Sequence, residues 1–314
     1  MKKFRRHSLR GSYNLFAGYS HCLPGTGGMF LLLVLFLLGS LLGSLTTELI
    51  GMLISKDFVS AYGTIIAYPI MFIPPMLYAS VNSRRNDMFE TGYALDSNNF
   101  GNLGGFRLAL IASAATLAAA FVVEPLTALL PPMPQWLEDV MNQLLEGSPL
   151  WATLLSVSVF APLFEEWLCR GIVLRGLLRK MSPAAAISIS AAFFAILHMN
   201  PWQAIPAFCL GILFGYVYYR TGSLKLTMLM HCVNNTFAAL ISQIPALKDA
   251  ETFMDIMNPW ASPALIADSL PNAPPGKPCL KGRQFCYLHY HRISNYVSHK
   301  HTHLLGNILS SAAK

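Results

Sequence analysis

Apolar residues in this chain come in long runs, without the alternation of a half-buried strand or the one-sided stripe of a surface helix. The first run, MFLLLVLFLLGSLLGSLTTELIGML from Met29 to Leu53, holds a single charged residue, Glu48. About 20 mostly apolar residues in helical form cross a bilayer, so this run predicts a membrane span. The same pattern predicts further spans at 58–81, 106–123, 150–174, 184–199, 203–219 and 225–244, separated by short polar breaks such as KMSP and TGSL. The expected fold is an all-α polytopic membrane protein, a bundle of about seven transmembrane helices around an intramembrane hydrophilic cavity.

Charges between the runs give an orientation. The connection from Val81 to Gly105 carries Arg84 and Arg85, whereas Pro125 to Leu150 has no Lys or Arg and carries Glu138, Asp139 and Glu146. Cytoplasmic loops are enriched in Lys and Arg, which puts the first connection inside and the second outside. Arg170, Arg175, Arg179 and Lys180, then Arg220 and Lys225, mark two returns to the inside. A multi-pass protein of the cytoplasmic (inner) membrane with its N-terminus inside is expected. The opening MKKFRRHSLR imitates a signal peptide, but the apolar run starts late and is too long for one. PQWLEDVMNQLLEG, 134–147, reads either as an amphipathic helix on the outer surface or as an ordinary loop helix.

Composition fits. Of 314 residues, 54% are hydrophobic and 12% charged, against about 25% charged in soluble domains. The net charge of +7 gathers at the chain ends and in short turns, which points to membrane orientation and to no nucleic-acid partner. The expected partners are the lipid bilayer and a peptide or membrane-protein substrate. Gly39 with Gly43 and Gly211 with Gly215 form GxxxG pairs, which let helix backbones approach closely. They suit packing within the chain, and a homodimer is the alternative. The six cysteines show no paired spacing.

The chain divides into a basic N-terminus (1–28), N-terminal helices with the external segment (29–149), a helical unit at 150–245 and a tail (246–314). The tail is expected to be disordered after 271. Its Cys279, Cys286, His289, His291, His299, His301 and His303 match no standard zinc spacing.

Ionisable groups inside hydrocarbon are costly and mark function. Within the second half they are Glu165 and Glu166 in the fourth run, His198 near the end of the fifth, and His231 with Asn235 in the seventh. Glu166 and Arg170 are four apart and can pair on one helix face, whereas Glu165 is turned about 100° away. One carboxylate is therefore structural and the other available. Phe194 and His198 share the four-residue spacing, as do His231 and Asn235. Glu165 lies 16 residues before Met181, at the fourth turn, and His198 lies 17 after it, so both are about 24–26 Å from that turn. The same arithmetic puts the break NPWQ (200–203) inside the bilayer, where it must line a cavity or be covered by protein.

EEWLCR (165–170), FAILH (194–198) and HCVNN (231–235) resemble the EExxxR, FxxxH and HxxxN motifs of the CPBP family, the CaaX-processing and bacteriocin-processing (Abi) intramembrane glutamic endopeptidases. The resemblance covers about 150–244. It implies a metal-independent protease without cofactor, in which Glu165 and His198 activate a water while His231 and Asn235 stabilise the oxyanion. Glu166, Arg170 and Phe194 are implied as structural support.

Other readings remain open at this level. Polar residues also serve as hydrogen-bonding glue between membrane helices. A family member can act as a scaffold or immunity factor without proteolysis. A proton-coupled transporter would use the same residues as a relay, and Glu165, His198 and His231 form a two-His-one-carboxylate set that suits a metal.

Overall fold

The computed structural model describes residues 16–87, 94–127, 130–131, 133–137, 148–241 and 243. Among them are seven main helices and no strand: α1 (Thr26–Leu53), α2 (Lys56–Asp87), α3 (Gly104–Thr127), α4 (Leu150–Leu177), α5 (Pro183–Leu197), α6 (Pro201–Thr221) and α7 (Leu224–Ile241). Each coincides with one expected run. Punctuation residues set the boundaries. Ser182 caps α5 by accepting from Ala185 N, with Pro183 at the first helical position, and Asn200 caps α6 by accepting from Gln203 N, with Pro201 next. Gly222 ends α6 in the left-handed conformation at φ 66°.

Four helices and the stretch Gly101–Val123, which holds most of α3, are long and apolar enough to cross a membrane; the four are α1, α2, α4 and α6. α5 is apolar but short. Phe30, Leu41, Leu45, Leu77, Phe106 and Val122 leave more than half of their side-chain surface uncovered, an apolar exterior that suits lipid and not water. The chain is an all-α multi-pass membrane protein.

α4 is the central helix, with every residue from Glu166 to Leu177 buried. It is not uniformly α-helical: Leu155–Phe160 and Trp167–Leu174 are wound as π-helix. Such segments interrupt the α register and recur at functional sites. α5 packs on the second π segment and on α6, α7 packs on the first, and α3 closes against α6 and α7.

α1 packs on α2, and prolines explain how. Pro75 has no N–H, so the Met71 carbonyl one turn earlier loses its helical donor. Gly39 of α1 sits against that carbonyl, where any Cβ would overlap it, and Gly43 faces Ala67 O, 3.1 Å from where a Cβ would stand. Gly211 and Gly215 approach Ala191 and Ile187 of α5 in the same manner. Both GxxxG pairs therefore serve packing inside the chain.

Residues 16–24 are folded onto the bundle. Arg175 donates to Ser20 O (2.9 Å) and Asn86 donates to His21 O (3.2 Å), which gathers the C-terminal ends of α2 and α4 together. The Asp96 carboxylate accepts from Leu224 N at 2.8 Å, and this brings the α6–α7 turn to the same end. At the opposite end, Trp202 Nε1 donates to Pro131 O (2.9 Å), so the α5–α6 break is covered by the connection after α3. Of 134–147, residues 135–137 are helical. The rest of that segment, and the tail with its histidines, lie outside the described residues.

Candidate active site

The two adjacent carboxylates of α4 meet different fates. Glu166 Oε1 accepts from Arg170 Nη1 at 2.8 Å, both side chains fully buried. Arg170 also donates through Nη2 to Gly211 O (3.1 Å), and its guanidinium lies over the rings of Phe194 (4.6 Å) and Phe214 (5.4 Å). Two acceptors and two aromatic faces thus hold a charge that burial alone would expel. Glu166 Oε1 also meets His231 Nδ1 at 3.1 Å, so three motif residues form one network.

Glu165 faces elsewhere. Its Oε1 accepts from the hydroxyl of Tyr68 on α2. Its Oε2 is buried without a hydrogen-bond partner in the protein and lies 3.9 Å from His231 Nε2, beyond hydrogen-bond range. His231 therefore stands between the two carboxylates. With Nδ1 donating to Glu166, Nε2 offers an N–H only when the ring carries both protons.

His198 closes α5. Its Nδ1 meets Phe194 O at 2.9 Å, and since a carbonyl only accepts, Nδ1 carries the proton and Nε2 is the acceptor in the neutral ring. Met199 follows with φ 55°, a left-handed residue that ends the helix there. The antiparallel register between α4 and α5 is fixed by Ser190 donating to Cys169 O (2.9 Å) and by Arg170 lying over Phe194. The imidazoles of His198 and His231 both pack edge-on against Phe194, at 5.0 and 5.6 Å. No ion pair or hydrogen bond joins His198 to Glu165; Phe194 links it to the cluster.

Asn235 Nδ2 donates to Val157 O at 2.8 Å, inside the first π segment of α4, and its Oδ1 accepts from Asn234 (3.2 Å). One amide hydrogen of Asn235 thus fixes the plane of the group and the second is uncommitted. Among the described residues, no three His, Cys, Asp or Glu side chains come together in a set able to hold a metal.

The structure thus joins Glu165, Glu166, Arg170, Phe194 and His231 directly, and brings up His198 and Asn235 at the edges. The residue that sequence reasoning missed is Tyr68. A search for ionisable groups inside spans passes over a tyrosine, and nothing in AYPIMFIPP marks which hydroxyl will reach 97 positions along the chain.

Residues 147–237 match a family model described as Rce1-like, type II CAAX prenyl endopeptidase. Over this stretch the chain is similar to that family. No curated protein and no solved structure matched. The match supports a peptidase of the CAAX intramembrane type. The Rce1-like stretch contains Glu165, Glu166, Arg170, Phe194, His198, His231 and Asn235 but not Tyr68, which enters the site from the first half of the chain.

Proposed function

We propose that the protein is a metal-independent glutamic endopeptidase that cleaves a membrane-associated peptide or protein, with Glu165 as the general base. The observation that carries this is the unequal treatment of the two carboxylates. Each Oε2 is buried without a hydrogen-bond partner, but Glu166 Oε1 is held by the Arg170 cation and by His231, while Glu165 has no such cation, accepts from Tyr68 through Oε1 and turns Oε2 towards the His231 imidazole. A carboxylate oxygen in that position can take a proton from an attacking water. His198, whose Nε2 is left as an acceptor by the Phe194 bond, can share that proton.

The oxyanion that forms needs donors. His231, oriented by Glu166 in the way a carboxylate orients a catalytic imidazole, supplies Nε2–H when doubly protonated, and Asn235 supplies its second amide hydrogen. The Lys/Arg pattern supports a site open to the cytoplasm. The family description supports a prenylated CaaX-type peptide as the first substrate to try.

The test is cleavage of an internally quenched farnesylated CaaX peptide by the full chain in proteoliposomes. Glu165→Gln preserves shape and removes the base, so turnover should fall by about 10²–10⁴-fold, while the protein still folds. Asn235→Ala should lower turnover by roughly 10²–10³-fold. Phenanthroline or EDTA should leave the rate unchanged. Parent-like cleavage by Glu165→Gln would refute the base assignment. Loss of activity to chelator with recovery on zinc would replace this mechanism with a metal-assisted one.

A further inference from the structure

The geometry points to Tyr68 as a positioning residue for this reaction, supplied by α2 from outside the Rce1-like stretch. The inference rests on the proposed role of Glu165 and adds what holds it.

Glu165 has two carboxylate oxygens. Oε1 accepts from the Tyr68 hydroxyl, and Oε2 faces His231 Nε2 at 3.9 Å. A carboxylate on a three-bond side chain rotates freely unless one oxygen is tied, and that rotation would turn Oε2 away from the reacting water. Tyr68 ties the other oxygen. Glu166 needs no such tie from α2, because Arg170 and His231 already hold it.

Tyr68 is itself fixed. Its ring stacks on Phe72 (centroids 5.8 Å, 24° between planes), and Phe72 stacks on Phe164 of α4 (5.1 Å, 16°), the residue immediately before Glu165. Phe72 also meets Phe36 of α1 edge-on at 5.4 Å. The donor and the carboxylate are thus carried by two ends of one aromatic stack, and a shift of α2 against α4 would move both. Two rotatable bonds and a packed ring make tyrosine a low-entropy donor, suited to setting an angle. This gives the first half of the chain a task in the chemistry beyond spanning the membrane.

Tyr68→Phe removes the hydroxyl and keeps the ring and its stack. In the proteoliposome assay with the farnesylated CaaX peptide, kcat should fall roughly 10- to 100-fold while KM stays close to the parent's. A merely structural tyrosine would instead change folded yield, or KM and kcat together. A readout free of substrate accompanies it. The infrared carboxyl band of Glu165, identified in the parent as the band lost in Glu165→Gln, should be displaced in Tyr68→Phe when identified by the same subtraction. A band at the parent frequency overturns the contact. A displaced band with parent-like kcat overturns the positioning role. A parent that fails to cleave the peptide, with the band still displaced, refutes the prenylated CaaX substrate and leaves the Tyr68–Glu165 contact standing.

Discussion

Adjacent glutamates on one helix point about 100° apart, so Arg170 pairs with Glu166 alone, and this is what separates Glu165 from Glu166. The separation was legible from spacing: Arg170 four residues on pairs with Glu166, as the 2.8 Å contact shows. What spacing did not reveal is that Glu166 also holds His231 and that Glu165 leans on Tyr68, because both contacts come from helices distant in sequence. The network makes a prediction about stability. Glu166→Gln leaves the Arg170 guanidinium buried against Gly211 O and two rings with no anion, and breaking a buried pair in this way costs about 3–5 kcal/mol. Thermal unfolding in detergent should show a clear drop for Glu166→Gln and for Arg170→Gln, together with lost activity. Glu165→Gln should unfold near the parent temperature. If Glu166→Gln proved as stable as the parent, the network would not be holding α4 in place.

Among the elements, the helices were readable because lipid demands long apolar runs with every backbone group satisfied inside the helix. Their ends were less so: spans expected at 184–199 and 203–219 run Pro183–Leu197 and Pro201–Thr221, where Ser182-Pro183, Asn200-Pro201 and Gly222 act as caps. The π segments of α4 were not, since Leu155–Phe160 and Trp167–Leu174 are as apolar as the α-helical turns beside them. They matter to the site: the first offers Val157 O to Asn235, and the second carries Arg170. The α1–α2 contact was half readable. GxxxG announced a close approach, but that Gly39 would meet the carbonyl freed by Pro75 required the second helix. Gly39→Leu should push α1 off that carbonyl and destabilise the protein by about 1–3 kcal/mol. Gly27→Leu in the same helix, with nothing within 4 Å of its Cβ position, should be neutral. Equal melting temperatures for the two variants would mean that α1 does not rely on this contact.

For the molecule as a whole, one end gathers residues 16–24, the C-terminal ends of α2 and α4, and the α6–α7 turn, through Arg175–Ser20, Asn86–His21 and Asp96–Leu224. That end carries Arg84, Arg85, Arg179, Lys180, Arg220 and Lys225. The other end carries the connection in which Pro131 meets Trp202. Because cytoplasmic loops retain Lys and Arg, the first end should lie inside and the second outside. Exposed positions suited to labels are Arg84 at one end and Gln135 at the other. In a chain lacking the other cysteines except Cys22, a membrane-impermeant maleimide applied to intact cells should modify Gln135→Cys and spare Arg84→Cys until the membrane is opened. Cys22 should stay silent in both conditions: it is fully buried, and burial pushes its thiol up to about 12 although Arg175 pulls it down, so it stays protonated and unreactive. Labelling of Arg84→Cys in intact cells, with Gln135→Cys protected, would invert the bundle. The site beside Glu165 would then open to substrates on the opposite face of the membrane.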